Sequence, residues 1–230
     1  MCSTRRGDID LRMRMKPNLT MRTERCADLL AAKPYALRGR WLSEFDYGEL
    51  RVELGCGKGL FTVESAIAEP GVFFVALEKT ANVMITAMER ADAAGIQNVR
   101  FINALADVVT GFFAPGEVAR IYINFCDPWP SDRHAKRRLT NRRFLASYLQ
   151  VLSPGGAIHF KTDDLPLFDF SLCEFEQCGF VILNENRDLH KNGFVGVMTD
   201  YEAKFYSQGK PIYRCEAVSP AMSKHYEQTL

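Results

Sequence analysis

Three short stretches hold residue types that do chemistry, each just after an apolar run. The first reads Glu53-Leu54-Gly55-Cys56-Gly57-Lys58-Gly59. Three glycines within five residues let a backbone turn sharply and approach a ligand closely. Glu78 ends the next apolar run, where a carboxylate can accept hydrogen bonds from both hydroxyls of a ribose. A dinucleotide site uses an acid there too, so Glu78 alone does not discriminate. The glycine spacing does. A dinucleotide loop reads Gly-x-Gly-x-x-Gly, whereas these glycines stand at 55, 57 and 59 and are followed by Leu60. An acid at Glu53 is unfavourable beside a pyrophosphate. It suits the cationic amino group of S-adenosylmethionine, which is the cofactor expected here. The bland alternative is a glycine turn with no ligand. In the loop Asn103-Ala104-Leu105-Ala106-Asp107, the backbone N–H groups of Leu105 and Ala106 can meet an adenine edge. Asp107 is better placed to begin a helix.

The second stretch is Asn124-Phe125-Cys126-Asp127-Pro128-Trp129-Pro130, the most specific in the chain. Two prolines stiffen the turn. Asp127 then presents a carboxylate beside the expected donor, and Trp129 can stack on a base for roughly 1–3 kcal/mol. The competing reading makes Trp129 core and Asp127 a turn cap. The third stretch, Arg133-His134-Ala135-Lys136-Arg137-Arg138, follows within a few residues. A charge run alone is usually a solvated face; beside a nucleobase pocket it reads as a phosphate clamp.

These loops need elements to hold them. Leu50–Leu54, Val72–Leu77, Val99–Ile102, Ala119–Phe125 and Ala157–Lys161 read as strands, the second apolar throughout as a strand buried on both faces should be. Helical patterns lie between them at Leu60–Ala68, after Thr80 up to Gly95, and at Asn141–Leu152 before Pro154-Gly155-Gly156. Leu165, Phe168, Leu172 and Phe175 mark another helix, and Phe180–Leu183 and Pro211–Val218 two more strands. Residues 23–33 read as a short helix stopped by Pro34. Alternating strands and helices predict one α/β domain with a parallel sheet covered on both faces. Ligands bind such sheets at the carboxyl ends of the strands, where all three stretches fall.

The chain has 230 residues, 47% hydrophobic and 25% charged, as an ordinary globular domain has. It has no run of about 18 apolar residues for a membrane span, and no signal peptide is expected. Seven cysteines without a Cys-x-x-Cys, and four scattered histidines, argue against a disulfide framework or a metal site and fit a reducing cytoplasm. Net charge is +1, but residues 1–25 carry net +4 and residues 133–143 net +6, which leaves the rest at −9. A mildly acidic body with two basic segments is the footprint of a polyanion binder; two solvated surface stretches are the alternative. Residues 1–22 are expected to be a flexible basic arm and residues 23–230 one domain.

Taken together, Glu-x-Gly-Cys-Gly-Lys-Gly, Asp-Pro-Trp-Pro with Arg-His-x-Lys-Arg-Arg, His159-Phe160-Lys161-Thr162-Asp163 and Thr199-Asp200-Tyr201-Glu202 resemble the bacterial tRNA (guanine-N7-)-methyltransferase family over about residues 48–216. The resemblance implies a Rossmann-like class I methyltransferase: a mostly parallel twisted sheet, helices on both faces, and an antiparallel strand near the C-terminus. It implies methylation of guanine 46 in the tRNA variable loop, with S-adenosylmethionine as donor and tRNA as partner. By resemblance, Glu53, Glu78 and Asp127 match donor-pocket positions, and Asp127 is also the catalytic candidate. Asp163 and Thr199, Asp200, Tyr201 and Glu202 match substrate-binding positions, and Arg133, His134, Lys136, Arg137 and Arg138 the RNA-contacting run. Two positions depart: Leu105 stands where the family commonly has an aspartate near adenine, and Ser131 where a lysine is usual.

Guanine N7 carries an in-plane lone pair and no proton, so its methylation needs no general base. The task is alignment, with a carboxylate to offset the positive charge gained by the purine. Two other readings stay open. One is an adenine N6 methyltransferase, which would use an Asn/Asp-Pro-Pro-aromatic turn; here the second proline before the aromatic is missing. The other is an RNA-binding protein with a vestigial donor pocket.

Overall fold

A computed structural model describes residues 18–220. Within them one sheet of seven strands runs β1 (Glu49–Leu54), β2 (Val72–Leu77), β3 (Val99–Ile102), β4 (Val118–Asn124), β5 (Leu152–Thr162), β6 (Val181–Asn186) and β7 (Tyr213–Val218). Their spatial order is β3-β2-β1-β4-β5-β7-β6. Every pair is parallel except the two made by β7, which enters antiparallel between β5 and β6. The expected α/β sheet with one antiparallel strand near the C-terminus is therefore present.

The helices are α1 (Leu19–Arg25), α2 (Trp41–Phe45), α3 (Leu60–Ala68), α4 (Ala81–Ala93), α5 (Val109–Phe112), α6 (Arg142–Val151), α7 (Leu165–Gln177) and α8 (Asp200–Ser207). Strand side chains alternate between two apolar layers. Leu50, Val52, Leu54, Phe73, Val75 and Leu77 join Trp41, Phe112, Leu145, Tyr148 and Phe168 on one side. Phe74, Ala76, Phe101 and Tyr122 join Phe61, Val63, Met84 and Met88 on the other. Both faces of β2 are thus filled, which explains its unbroken apolar run.

Three local readings change. The first helix begins at Leu19, not at residue 23, and ends at Arg25. Its start is fixed by a tertiary contact, the 2.6 Å hydrogen bond from Arg22 Nε to Glu89 on α4. Of the expected basic arm, residues 1–17 lie outside the described residues. Helix α2, unmarked in the sequence, forms because Trp41 finds a fully buried slot and donates Nε1–H to the Phe112 carbonyl at 2.8 Å. Pro154-Gly155-Gly156 does not separate α6 from a strand; it lies inside the irregular start of β5, where the register against β4 shifts between Val118 and Arg120. A proline is tolerated in a sheet at such an irregularity.

Candidate active site

The glycine loop folds back over the end of β2. The Leu77 carbonyl accepts both Gly55 N–H at 2.8 Å and Cys56 N–H at 3.0 Å. At Gly59, with φ +79°, a Cβ would come within 2.4 Å of the Ala87 Cβ. Only glycine allows α3 to start this close to α4. At Gly55 and Gly57 an added Cβ would meet nothing, because both face open space.

Glu78 is oriented by backbone. Its Oε1 accepts Thr80 N–H at 2.8 Å and its Oε2 accepts Gly57 N–H at 3.2 Å. The Thr80 hydroxyl makes no cap bond to α4, so the helix start is organised through Glu78 instead. Asn103 Nδ2 donates to the Glu78 carbonyl at 2.7 Å and so ties the third loop to the second. Glu53 behaves differently. It is buried beneath the loop, accepts the Thr62 hydroxyl and takes Asn124 Nδ2 at 3.0 Å. Burial pushes its pKa up. Its side chain is used inside the protein and does not line the cleft described next.

A cleft of about 590 Å³ opens over the carboxyl ends of β1, β2 and β4. Gly55, Gly57, Glu78, Leu105, Ala106, Asp127, Trp129 and Tyr201 all line it. Asp127 is exposed, and Lys79 Nζ lies 3.1 Å from its Oδ2. Its turn is strained on both sides: Phe125 has φ +51° and Trp129 φ +44°. Bulky residues in the left-handed region cost energy and persist only when the surroundings enforce them. Arg138 supplies that enforcement. Its Nε donates to the Pro128 carbonyl at 3.1 Å, its Nη2 to the Trp129 carbonyl at 3.0 Å, and its guanidinium lies 4.3 Å from the Phe170 ring centroid.

The basic run is therefore divided. Arg138 is buried and braces the turn from inside. Arg133, Lys136 and Arg137 are exposed on a 3-10 turn spanning Asp132–Arg137. Arg137 lies 4.8 Å from the Trp129 ring centroid, and His134 meets the same ring edge-on at 5.8 Å.

The remaining sites are also divided. Asp163, at the end of β5, is half-buried and does not line the cleft. Thr199 and Glu202 form a capping box that starts α8, and Glu202 has no exposed surface. Asp200 pairs with Arg90 at 3.1 Å. Of these four neighbours only Tyr201 reaches the cleft. The Thr-x-x-Glu spacing is itself a helix-start signal and is the clue that Glu202 turns back onto the Thr199 N–H.

Arg143, from the basic stretch, also lines the cleft, and sequence reasoning missed two further lining residues, Lys79 and Phe144. Nothing in their spacing marks them; the fold brings them there. Cys126 lines it too, but burial pushes its thiol up to about 12, so it is no nucleophile at neutral pH. Among the described residues no His/Cys/Asp/Glu group is arranged to hold a metal, and no helix is long and apolar enough to cross a membrane.

A doubly wound sheet with its ligand cleft at the β1/β4 switch point, a glycine loop after β1 and an anchored acid after β2 is the architecture of a class I methyltransferase. Solved structures agree on the fold. A 16S rRNA methyltransferase, KamB, superposes with a TM-score of 0.59 at 14% identity, covering 78% of this chain and 93% of that one. TrmN from Thermus thermophilus gives 0.54 at 21% identity, over 86% of this chain and 53% of that one. The family model described as a putative methyltransferase matches residues 48–215. A tRNA (guanine-N(7)-)-methyltransferase from Geobacillus kaustophilus (strain HTA426) is 44% identical, over 91% of this chain and 98% of its own. Another from Bacillus subtilis (strain 168) is 40% identical, over 90% and 98%. The chain belongs to the tRNA (guanine-N7-)-methyltransferase family.

Proposed function

We propose that this protein transfers a methyl group from S-adenosylmethionine to N7 of guanine 46 in the tRNA variable loop. The observation that carries the reading is that Glu78 and Asp127 open into one cleft, with Trp129 beside them and Lys79, Arg137 and Arg143 at its rim. The cleft volume is that of a small-molecule site. Its residues fit the donor: Glu78 for the ribose hydroxyls, the open faces of Gly55 and Gly57 for close approach, and the backbone of Leu105 and Ala106 for adenine. Bound there, S-adenosylmethionine supplies an electrophilic methyl group on a sulfonium.

The protein's own residues do the rest by alignment and charge. Trp129 offers a stacking face for the purine. Asp127 accepts hydrogen bonds from the guanine N1–H and 2-amino groups and offsets the positive charge that the ring gains. Adenine presents a lone pair at N1, which the same carboxylate repels. Asp163 is the less suitable carboxylate, since it lies outside the cleft. Removing the target base from its stack costs a few kcal/mol, which phosphate contacts by Arg133, Lys136, Arg137 and Arg143 help to offset. A reducing cytoplasm, where tRNA is found, fits the free cysteines.

The test is incubation with labelled S-adenosylmethionine and unmodified tRNA, followed by digestion to nucleosides. Labelled 7-methylguanosine, absent when guanine 46 is replaced, is the expected result. Label in N6-methyladenosine would replace the reading with the exocyclic-amine one. Donor binding without any transfer would favour the vestigial site.

A further inference from the structure

Two cations of the cleft are paired, in this structure, with the two groups a purine would use. Lys79 Nζ donates to Asp127 Oδ2 at 3.1 Å. The Arg137 guanidinium lies 4.8 Å from the Trp129 ring centroid. Lys79 comes from the end of β2, and Arg137 from the turn that follows Asp127. The four side chains meet at the same opening.

These contacts copy those of the base. An N–H donor occupies the carboxylate, as guanine N1–H and its amino group would. A flat cation occupies the indole, as a purine ring gaining positive charge would. Both contacts are loose. Lys79 and Asp127 are 57% and 64% exposed, so water and salt screen the pair, and Arg137 is likewise exposed. Two other arginines of the basic stretch are committed elsewhere: Arg138 is buried on the Pro128 and Trp129 carbonyls, and Arg142 is bound to Glu174 at 2.7 Å. Those two cannot leave without loosening the turn or α6.

We propose that Lys79 and Arg137 are exchangeable placeholders. When tRNA binds, each leaves its partner for a phosphate flanking the target nucleotide, and so hands Asp127 and Trp129 to the base. The proposal rests on the reading that the target base enters this cleft. It makes backbone recognition a condition of base recognition. A free nucleoside has no phosphate to draw the cations away and must compete with them directly.

Lys79→Gln, Arg137→Gln and the double variant test this, with unmodified tRNA as one probe and guanosine as the other. Affinity for tRNA is measured between 50 and 200 mM KCl. Each single variant is expected to make the log–log salt slope shallower by about 0.7–0.9, and the double variant by about twice that. Guanosine binding, read by quenching of Trp129, is expected to move the other way and become tighter in the double variant. A merely structural role would weaken both ligands together. Trp41 is fully buried, so the quenching reports Trp129. Lys79→Arg keeps the charge and is expected to keep the slope, which guards against a variant that simply misfolds. An unchanged slope in Lys79→Gln and Arg137→Gln, or guanosine binding that is unchanged or weaker, overturns the exchange. Absence of 7-methylguanosine with the unaltered protein would instead overturn the functional reading, while the slopes still judge the exchange.

Discussion

Lys161 on β5 and Glu202 on α8 form a buried ion pair of 2.8 Å, at the point where the C-terminal segment docks on the sheet. The second Glu202 oxygen lies 2.8 Å from His190 Nε2, and Val195 N–H donates to His190 Nδ1, so the ring proton sits on Nε2 and points at Glu202. Lys161 also donates to the Val197 carbonyl at 3.0 Å. Burial pulls the Lys161 pKa down while Glu202 pulls it up. Glu202 therefore acts on the cleft at one remove. It fastens the 190–199 segment and α8 to β5, which leaves Tyr201 lining the cleft. Glu202→Ala strands the Lys161 charge in the interior and is expected to cost about 3–5 kcal/mol in urea unfolding. Thr199→Ala, which removes only the cap, is expected to cost about 1 kcal/mol. Equal, small losses for both would mean that the pair is not what docks the segment.

Asp127→Asn keeps the size of the side chain and removes its charge. Turnover is expected to fall by about 10²–10³-fold, more than any loss of donor affinity read by calorimetry. Near-normal turnover would show that the carboxylate does not stabilise charge on the purine.

The basic run contributes fewer phosphate contacts than its six positive residues suggest, because Arg138 and Arg142 are engaged internally. With four contacts from Arg133, Lys136, Arg137 and Arg143 and a fifth from Lys79, tRNA affinity is expected to fall by roughly 10²–10³-fold between 50 and 200 mM salt. Arg133→Gln should reduce the salt dependence. Arg138→Gln should instead lower thermal stability and leave the slope nearly as it was. A slope change of equal size in both would reverse this division of the run.

Gly59 is the tightest point of the loop. Gly59→Ala brings a methyl against the Ala87 Cβ at 2.4 Å and forces an alanine to φ +79°. Overpacking of this kind costs typically 1–3 kcal/mol, and the backbone conformation adds about 1–2 kcal/mol. Gly59→Ala with Ala87→Gly removes the 2.4 Å contact but leaves the Ala87 Cα at 2.9 Å and puts a glycine inside α4, so it should recover only part of the first loss and none of the second, as read from chemical denaturation.

His159 is held neutral. Burial first, and then Arg120 and Arg214, lower its pKa from 6.5 to about 3. Glu216 lies 3.9 Å from its Nδ1 but is bonded to Arg214, and so does little to hold a proton there. The unfolded chain takes up a proton near pH 6.5 and the folded chain only near pH 3, so His159 lowers stability as pH falls between those values. Across that window the unaltered protein is expected to lose up to about 1.4 kcal/mol per pH unit more than His159→Gln. Parallel stability curves for the two would contradict a neutral His159.

The apolar runs determined much of the fold without help. Residues 60–68, 72–77 and 99–102 occupy the elements their patterns predict, because each satisfies its period locally and is apolar enough to be buried. The same holds for the placement of Gly55, Glu78 and Asp127 at strand ends, since residues that follow directly after a parallel strand emerge on one edge of the sheet. Their types, and the Asp-Pro-Trp-Pro turn with its basic follower, were enough to point to the family. What spacing left undecided was the direction each side chain faces. Arg137 and Arg138 are adjacent and chemically alike, yet one lies over the Trp129 ring in the cleft and the other reaches beneath it to the Trp129 carbonyl. Glu53 and Glu78 both end strands, yet Thr62 and Asn124 draw the first inward while two backbone N–H groups hold the second at the cleft. Glu202 was paired by residues 12 and 41 positions away. A burial period belongs to a segment and can be read along the chain. The partner of a charged group belongs to the three-dimensional neighbourhood, and only the packed structure decided it.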